Sequence, residues 1–367
     1  MLGSKLQSAA RISGTAPPAT SQYLIASHAT TPFVSAYPWS STTGFGTKYS
    51  NPSTVPQNLG RSVAISPSGD AVAVAVFATT GQASIWVARW SAAGFGTKYS
   101  DPTIIPTLTG IRVTFSPSGD AIAIGHSLTP FVSVYPWSSA TGFGTKYSDP
   151  ATLPGGSGNG VAFSPSGNVL AVAHNSAPRI SVYPWSSATG FGTKYANAAS
   201  GITAGNGNGV RFSETGTTLA VGTSDTVAIH IWPWSTASGF GTKYIYNGGA
   251  NLLPDNFPTG TCNDIRFSPD DTALAVATGS ASGFQAWPWS VATGPGTKYT
   301  APTFDASPAS IFSCAFSPTG NVIAAAHSIT PFLSVFPWSS ATGFGTKYTN
   351  PATTPPNTCY GVQFTQF

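Results

Sequence analysis

The chain has 367 residues, of which 41% are hydrophobic and 7% are charged, with a formal net charge of +4. Ordinary soluble proteins are about 25% charged, so this surface must consist mainly of Ser, Thr, Asn, Gly and Ala. The dilute positive charge argues against nucleic acid, which needs a basic patch on one face. No apolar run reaches the roughly 18 residues of a membrane span. We therefore expect no nucleic-acid partner and no membrane insertion.

The first 20 residues precede the repeats and are polar, with Lys5, Arg11 and a Pro-Pro pair near the end of the segment. They lack the apolar run that follows the basic residues of a secretory signal peptide. We predict that residues 1–20 form an N-terminal arm, which anchors the protein to its partners through Lys5 and Arg11.

From residue 21 onward, a Trp-Ser and then a Gly-Thr-Lys-Tyr recur seven times. A fixed period of this size indicates a repeat architecture, in which each unit buries its apolar face against its neighbours. The lysines of the second motif are 48 to 55 residues apart, and they are Lys48, Lys98, Lys146, Lys194, Lys243, Lys298 and Lys347.

One repeat contains four short segments rich in Val, Ile, Phe and Tyr, as in residues 160–195. A Ser-Pro-Ser-Gly turn separates the first two, because Pro presets φ and Gly allows a positive φ. These are strand signals, and no helical periodicity accompanies them. Four antiparallel strands in about 49 residues make one propeller blade. We call them strands a to d, with d at Gly-Thr-Lys-Tyr. The sequence thus predicts an all-β, seven-bladed propeller.

The two ends of the chain share one blade in this prediction. Residues 22–28 match strand b and have no strand a before them, while residues 361–364 match strand a and end the pattern. The propeller would then occupy residues 21–367, with residues 361–367 completing blade 1. Closing the ring in this way removes exposed sheet edges.

The Ser-Pro-Ser-Gly turns at 66–69, 116–119 and 164–167, together with the Trp-Ser of each repeat, resemble a WD40-type β-propeller over residues 21–367. The family's Trp-Asp is replaced by Trp-Ser and its Gly-His is missing, so its buried Asp–His network should be absent. The repeat sequence Pro-Trp-Ser-Ser-Ala-Thr-Gly-Phe-Gly-Thr-Lys-Tyr resembles that of WD40-like repeat proteins of tailed bacteriophages. That resemblance implies a virion protein.

Several repeated residues have a structural interpretation. We expect the Trp of each Trp-Ser to lie in the core between blades. His28, His126, His174 and His327 share the end of strand b, where a turn-stabilising hydrogen bond fits better than a metal site. The repeated lysines either protect outer edges or bind an acidic polymer. Cys262, Cys314 and Cys359 are an odd number without metal-type spacing, and we expect them to be small buried thiols. A Cys262–Cys359 disulfide is rejected, because it would cross between non-adjacent repeats.

No catalytic motif is recognisable. The chain has a single glutamate, and the Asp residues that follow the tight turns, such as Asp70, should bond to turn backbone N–H groups. Paired carboxylates, a nucleophile elbow, a zinc motif and a phosphate loop are all missing. The sequence therefore predicts a protein without enzymatic activity, metal or cofactor.

Recognition should lie on the face where the b–c and d–a loops vary between repeats. The longest variation is the insertion at 245–261. Trp86 stands where other blades have Ser, and we expect it to be an exposed aromatic. The candidate ligand-contact residues are Trp86, Asn251, Asp255, Asn256 and Phe257.

These observations lead to one functional hypothesis and one alternative. The first is a non-enzymatic structural or binding protein of a phage virion, displayed on the particle as fibre, tail or capsid decoration. It would dock on other virion proteins and contact a host glycan or receptor. The alternative is a secreted or surface-held, lectin-like propeller that binds carbohydrate.

Overall fold

The computed structural model describes residues 22–106, 108–246, 252–253, 258, 260–279, 283–306 and 310–366. These residues form seven four-stranded antiparallel sheets, which confirms the predicted seven-bladed propeller. Strand a of each blade contacts strand a of both neighbouring blades around the axis. The described residues contain no helix that is long and apolar enough to cross a membrane.

The strand bounds repeat from blade to blade. Strands a of blades 1 to 7 are Cys359–Gln366, Gly60–Ile65, Gly110–Phe115, Gly158–Phe163, Gly207–Phe212, Cys262–Phe267 and Ile311–Phe316. Strands b are Gln22–His28, Ala71–Val76, Ala121–His126, Val169–His174, Thr218–Thr223, Ala273–Thr278 and Val322–His327. Strands c are Val34–Ser40, Ile85–Ser91, Val132–Ser138, Ile180–Ser186, Ile229–Ser235, Phe284–Ser290 and Leu333–Ser339. Strands d are Gly44–Phe45, Gly94–Lys98, Gly142–Phe143, Gly190–Phe191, Gly239–Phe240, Gly294–Pro295 and Gly343–Phe344.

The ring closes through the C-terminal strand, as the sequence predicts. Cys359–Gln366 pairs antiparallel with Gln22–His28, so the last strand of the chain is strand a of blade 1. This strand begins two residues before the predicted start at residue 361. All edges near the axis are thereby paired or covered by a neighbouring blade.

A tyrosine and a tryptophan join each blade to the next. The Tyr348 ring of blade 7 lies edge-on against Trp39 of blade 1, with centroids 4.9 Å apart, and its hydroxyl donates to Ser41 O at 2.7 Å. The seven repeated tryptophans are 3–6% exposed, which confirms their predicted place in the core. The equivalent pairs are Tyr49–Trp90, Tyr99–Trp137, Tyr147–Trp185, Tyr195–Trp234, Tyr244–Trp289 and Tyr299–Trp338.

Strand d is shorter than predicted in six blades, where it lies before the Gly-Thr-Lys-Tyr motif, at Gly-Phe in five of them and at Gly-Pro in blade 6. A proline in strand c, such as Pro38, has no N–H to donate to the outer ladder. Blade 2 has Arg89 at this position, and there the outer strand continues to Lys98. The prediction of strand d was wrong because it took no account of this missing donor.

The expectation that the carboxylates after the tight turns bond to backbone N–H groups holds only in part, because serine hydroxyls are the main partners of Asp70 and Asp120 and a backbone N–H is a weaker one. Asp70 accepts hydrogen bonds from the hydroxyls of Ser66 and Ser68, at 2.8 and 2.5 Å. The Ser66 hydroxyl in turn accepts the backbone N–H of Ala71 at 2.9 Å. The Ser66 hydroxyl therefore links the carboxylate to the backbone by two hydrogen bonds and stabilises the turn.

Four histidines pair with a serine across strands b and c. The His126 Nε2 lies 3.1 Å from the Ser133 hydroxyl, and both side chains are almost fully buried. His28, His174 and His327 make the same contact with Ser35, Ser181 and Ser334. The predicted hydrogen-bonding role is confirmed, with a serine of the neighbouring strand as the partner of Nε2. Burial lowers the pKa of each of these histidines to about 4.

These histidines should make the fold sensitive to mild acid. An unfolded histidine takes up a proton near its ordinary pKa of about 6.5, whereas the folded one stays neutral down to about pH 4. Stability should therefore be complete above this window and fall as the pH drops through it. We expect His126→Gln to reduce proton uptake on unfolding by about one between pH 6 and 4.5. Urea unfolding at several pH values measures the slope of the unfolding free energy against pH, which reports this proton uptake.

Ser133→Ala serves as the control, because it removes the hydrogen bond but keeps the titrating group. It should lower stability without changing the pH slope. A slope that is the same in wild type and His126→Gln would contradict this account.

Trp86 is 2% exposed, so the expectation of an exposed aromatic is wrong. Its indole N–H donates to Thr54 O at 2.9 Å. In blade 3 the hydroxyl of Tyr135 makes the equivalent bond to Ile104 O. Blade 2 has Ala88 where other blades have that large aromatic, and Trp86 lies two residues earlier on the same strand face. Trp86 therefore fills the space that Ala88 leaves.

This compensation predicts a coupled pair of substitutions. Trp86→Ser should destabilise the protein by about 3–5 kcal/mol, since it leaves a cavity. Adding Ala88→Tyr in the same chain should recover most of the loss, whereas Ala88→Tyr alone should overpack the blade by about 1–3 kcal/mol. Guanidinium unfolding of the two single variants and the double variant measures the coupling. Additive losses would contradict it.

The insertion between blades 5 and 6 forms a small parallel pair of strands, Ile245–Tyr246 and Leu252–Leu253. The second strand lies against Gly294–Pro295, the outer strand of blade 6. The described part of the insertion therefore follows the outside of the ring and not its axis.

Candidate functional site

A β-bulge near the start of every strand a presents one side chain per blade at the axis. In blade 2, Gly60 pairs with Val76 and Ser62 with Ala75, so Arg61 is the extra residue. Bulges of this kind re-aim side chains and are common beside functional sites. The bulged residues of blades 1 to 7 are Tyr360, Arg61, Ile111, Asn159, Asn208, Asn263 and Phe312.

Together with Arg112 and Asn206, these side chains line a cavity of about 310 Å³, which we call the axial mouth. It opens where strands a begin, on the face of the b–c and d–a loops. This is the face on which we expected recognition. The volume is at the lower end of the roughly 300–1,000 Å³ typical of small-molecule sites.

Three asparagines, one from each of blades 4, 5 and 6, form one side of the axial mouth. The amide nitrogen of Asn159 donates to Gly207 O at 3.0 Å, that of Asn208 to Cys262 O at 3.0 Å, and that of Asn263 to Ile311 O at 2.8 Å. Each amide is thus fixed by the backbone of the next blade. Within the described part of the chain, their side-chain oxygens accept no hydrogen bond and remain as acceptors.

The opposite side is cationic and aromatic. Arg61 is exposed, and its guanidinium lies 5.6 Å from the centroid of the Phe77 ring. Phe312 and Tyr360 contact each other with centroids 4.8 Å apart and ring planes tilted by 57°, and together they form an aromatic wall. The axial mouth therefore combines donors, acceptors and an aromatic surface around one small volume.

Below the axial mouth, a layer of charges crosses the axis around the buried carboxylate of Asp264. Arg266 and Arg211 lie 3.4 and 3.7 Å from its oxygens, and Arg112 reaches across from blade 3 to within 4.0 Å. Arg112 also donates to Asn263 O at 2.7 Å. The Ser313 hydroxyl of blade 7 donates to Asp264 at 2.8 Å.

The electrostatics of this layer keep Asp264 ionised. Burial alone would raise the pKa of Asp264, but the guanidinium groups of Arg266, Arg112 and Arg211 outweigh burial and hold the pKa well below its usual range. Burial and then the adjacent Arg266 lower the pKa of Arg211 to about 9, so it stays charged at neutral pH. Three positive charges thus face one negative charge, and the layer carries a net positive charge.

A net positive charge of this kind, combined with many N–H donors, favours the binding of an anion. Guanidinium groups bind carboxylate and phosphate through paired, charge-assisted hydrogen bonds. Among the described residues, no group of three or more His, Cys, Asp or Glu side chains is placed to hold a metal ion. The arrangement can therefore bind a small anionic molecule that also carries hydroxyl groups.

Of the predicted site residues, Trp86 alone lies in the part of the chain that the structure describes. Trp86 lies in the core of blade 2, while Lys5, Arg11, Asn251, Asp255, Asn256 and Phe257 lie outside the described residues. The predicted role of the arm, with Lys5 and Arg11, and that of the insertion residues stay predictions.

The other motifs have local partners. Lys98 pairs with Asp101 at 2.5 Å, and Lys48 and Lys347 donate to Asn51 and Asn350, both at 2.6 Å. Cys262, Cys314 and Cys359 are free and buried, as expected.

The residues that line the axis were missed, although the sequence contains a signal for them. Arg61, Arg112, Arg211 and Arg266 are four of the seven arginines in the chain. Each lies in strand a, where the equivalent residues of most blades are small or uncharged. A comparison of the repeats position by position would have shown this departure.

The comparisons with known proteins identify a fold. No family model matches the sequence, and no curated protein matches it either. Two putative 6-phosphogluconolactonases are similar structures. The one from Bacteroides fragilis has a TM-score of 0.72 at 12% identity, over 96% of this chain and 99% of that chain. For the one from Bacteroides uniformis the TM-score is 0.71 at 15% identity, over 94% and 99%.

A periplasmic gluconolactonase of Pseudomonas aeruginosa is also similar, with a TM-score of 0.65 at 13% identity, over 94% of this chain and 99% of that chain. Identities this low establish a shared propeller fold and nothing finer. The names of these similar structures contradict the expectation of a non-enzymatic phage virion protein or lectin, because all three are bacterial proteins with lactonase names and none of them is a phage protein. The WD40-like phage resemblance is supported only as far as the propeller.

The charge layer predicts a strong dependence on Asp264. Asp264→Asn keeps the shape but leaves three guanidinium groups without a counter-charge, and we expect a loss of about 3–5 kcal/mol. Ser313→Ala removes one hydrogen bond to the same carboxylate and should cost only about 1 kcal/mol. Urea unfolding measures both variants. Added salt should restore part of the stability of Asp264→Asn, and equal losses in the two variants would contradict the charge account.

Proposed function

We propose that the protein is a hydrolase that opens the lactone ring of an anionic sugar acid, with a phosphorylated aldonolactone as the preferred substrate, bound in the axial mouth. The observation that carries this proposal is the positive excess at the axis, where Arg61 and Arg112 face a cavity of small-molecule size. The lactonase names of structures with the same fold suggest the reaction.

Each side of the axial mouth suits one part of such a substrate. The guanidinium groups of Arg61 and Arg112 match a phosphate or carboxylate. The unpaired side-chain oxygens of Asn159, Asn208 and Asn263 can accept hydrogen bonds from ring hydroxyls. The wall of Phe312 and Tyr360 can pack against the C–H face of a sugar ring.

The reaction needs little from the protein beyond positioning and charge. Water attacks the carbonyl carbon of the lactone, the ring C–O bond breaks, and the ring oxygen takes up a proton to become a hydroxyl. The second proton of the attacking water is released to solvent, which leaves the new carboxyl group as a carboxylate. Negative charge develops on the carbonyl oxygen during the attack, and a fixed guanidinium stabilises it in a partly water-excluded site.

Asp264 is an unsuitable general base, because three arginines already hold its carboxylate. We therefore assign the acceleration to two separate roles: Arg112 polarises the carbonyl group, and Arg61 holds the anionic end. The attacking water enters from the open side of the axial mouth.

A substrate comparison tests this function. Acid release from 6-phosphogluconolactone and from gluconolactone, corrected for spontaneous hydrolysis at pH 6.5, should show a higher kcat/KM for the phosphorylated substrate. Arg61→Gln should lower kcat/KM for 6-phosphogluconolactone about 10–100-fold, the value of one charge-assisted contact. It should change kcat/KM for gluconolactone by less than about threefold, since that substrate has no phosphate to bind.

Arg179→Gln is the matched control, because Arg179 lies in a b–c loop on the same face and does not line the axial mouth. It should keep wild-type rates. Hydrolysis of both lactones at the spontaneous rate by the wild-type protein would refute the proposed function.

A further inference from the structure

A second cavity lies on the other side of the charge layer. It has a volume of about 220 Å³ and is lined by residues of strands a from six blades, and we call it the lower chamber. The fifth residues of these strands face it, namely Gln363, Ala64, Thr114, Ala162, Arg211 and Arg266. Small side chains on blades 2 to 4 leave the space open, while blades 5 and 6 supply two guanidinium groups.

The arginines of the lower chamber have unused donors. A guanidinium has five N–H groups, and within the described residues Arg211 makes one hydrogen bond, from Nη1 to Val210 O at 2.8 Å. Its Nε is buried without a partner. Arg266 donates through Nε to Cys314 O at 3.0 Å and through one Nη to Asp264. Buried donors without partners are costly, so an acceptor in this chamber would stabilise the protein.

The nearby acidic groups do not supply that acceptor. Asp264 is shared among three arginines. Asp271 accepts the backbone N–H groups of Glu214 and Thr215. Glu214 lines an adjoining hollow with Arg266 and Gln363, but forms no ion pair with either arginine in the described part of the chain. The positive excess therefore persists on this side of the layer.

We propose that the lower chamber binds a small tetrahedral oxyanion, inorganic phosphate or sulfate, between Arg211 and Arg266. This site is separate from the axial mouth and does not depend on the lactonase proposal. The bound anion accepts hydrogen bonds from the unused N–H groups. It also compensates part of the positive charge of the arginines that Asp264 does not neutralise. It acts as a structural counter-ion at the centre of the ring, where strands a of all seven blades meet.

Thermal unfolding of the full-length protein tests this site. Phosphate or sulfate at about 20 mM is compared with chloride at equal ionic strength, a concentration at which general salting effects are small. Each oxyanion should raise the midpoint of the wild-type protein by about 3–6 °C. Arg211→Gln should abolish this rise. It should also keep a wild-type midpoint in chloride, because it removes one of three mutually repelling charges.

Gln363→Glu provides a second variant that does not remove an arginine. It places a carboxylate of the same shape in the lower chamber, so it should raise the midpoint in chloride and remove most of the phosphate effect. Gln82→Glu makes the same change in a b–c loop on the opposite face and should behave like the wild type.

Arg61→Gln separates the two cavities. It should keep the full phosphate effect on stability even though it alters the axial mouth. Equal midpoints of the wild-type protein in phosphate, sulfate and chloride would overturn the proposal. So would a phosphate effect that survives in both Arg211→Gln and Gln363→Glu, or one that disappears in Arg61→Gln and persists in Arg211→Gln, which would move the anion to the axial mouth.

Discussion

The contact on which the rest of the structure depends is the one between the repeated tyrosine of one blade and the repeated tryptophan of the next. Each tyrosine lies edge-on against the indole and also donates its hydroxyl to a carbonyl of the following c–d loop, as Tyr348 does to Ser41. Seven such contacts set the angle between neighbouring sheets and bring the first and last blades together. They hold strands a at a fixed radius, so that one bulged side chain per blade converges on the axis.

That convergence explains how a chain with few charges has a strongly charged centre. Only 7% of the residues are charged, yet four of the seven arginines lie in strands a. Because few acids oppose them there, their field is largely uncompensated. Asp264 lies between the two cavities and draws three of the arginines into one layer. The axial mouth adds amide oxygens and an aromatic wall, whereas the lower chamber adds small side chains and space.

The sequence predicts the repeated parts of the fold well and the site poorly. The period, the turn motif and the unmatched ends are local signals, and they lead to seven blades closed by the C-terminal strand. Strand d was predicted at Gly-Thr-Lys-Tyr, but it lies before that motif in most blades, because Pro38 and its equivalents cannot donate to the outer ladder. Trp86 was misread because its burial depends on Ala88, two residues away. The axial residues come from strands about 50 residues apart, and a bulge breaks the alternation that would show where Arg61 and Asn208 point.

The positive excess at the axis should be matched by bound anions. A density map of the protein at high resolution, prepared with 6-phosphogluconate, tests it most directly. We expect ligand density in the axial mouth, with phosphate or carboxylate oxygens within hydrogen-bonding distance of Arg61 and Arg112 and with hydroxyls hydrogen-bonded to the asparagine oxygens. An axial mouth that contains only water at saturating ligand, with the ligand bound elsewhere or absent, would contradict it.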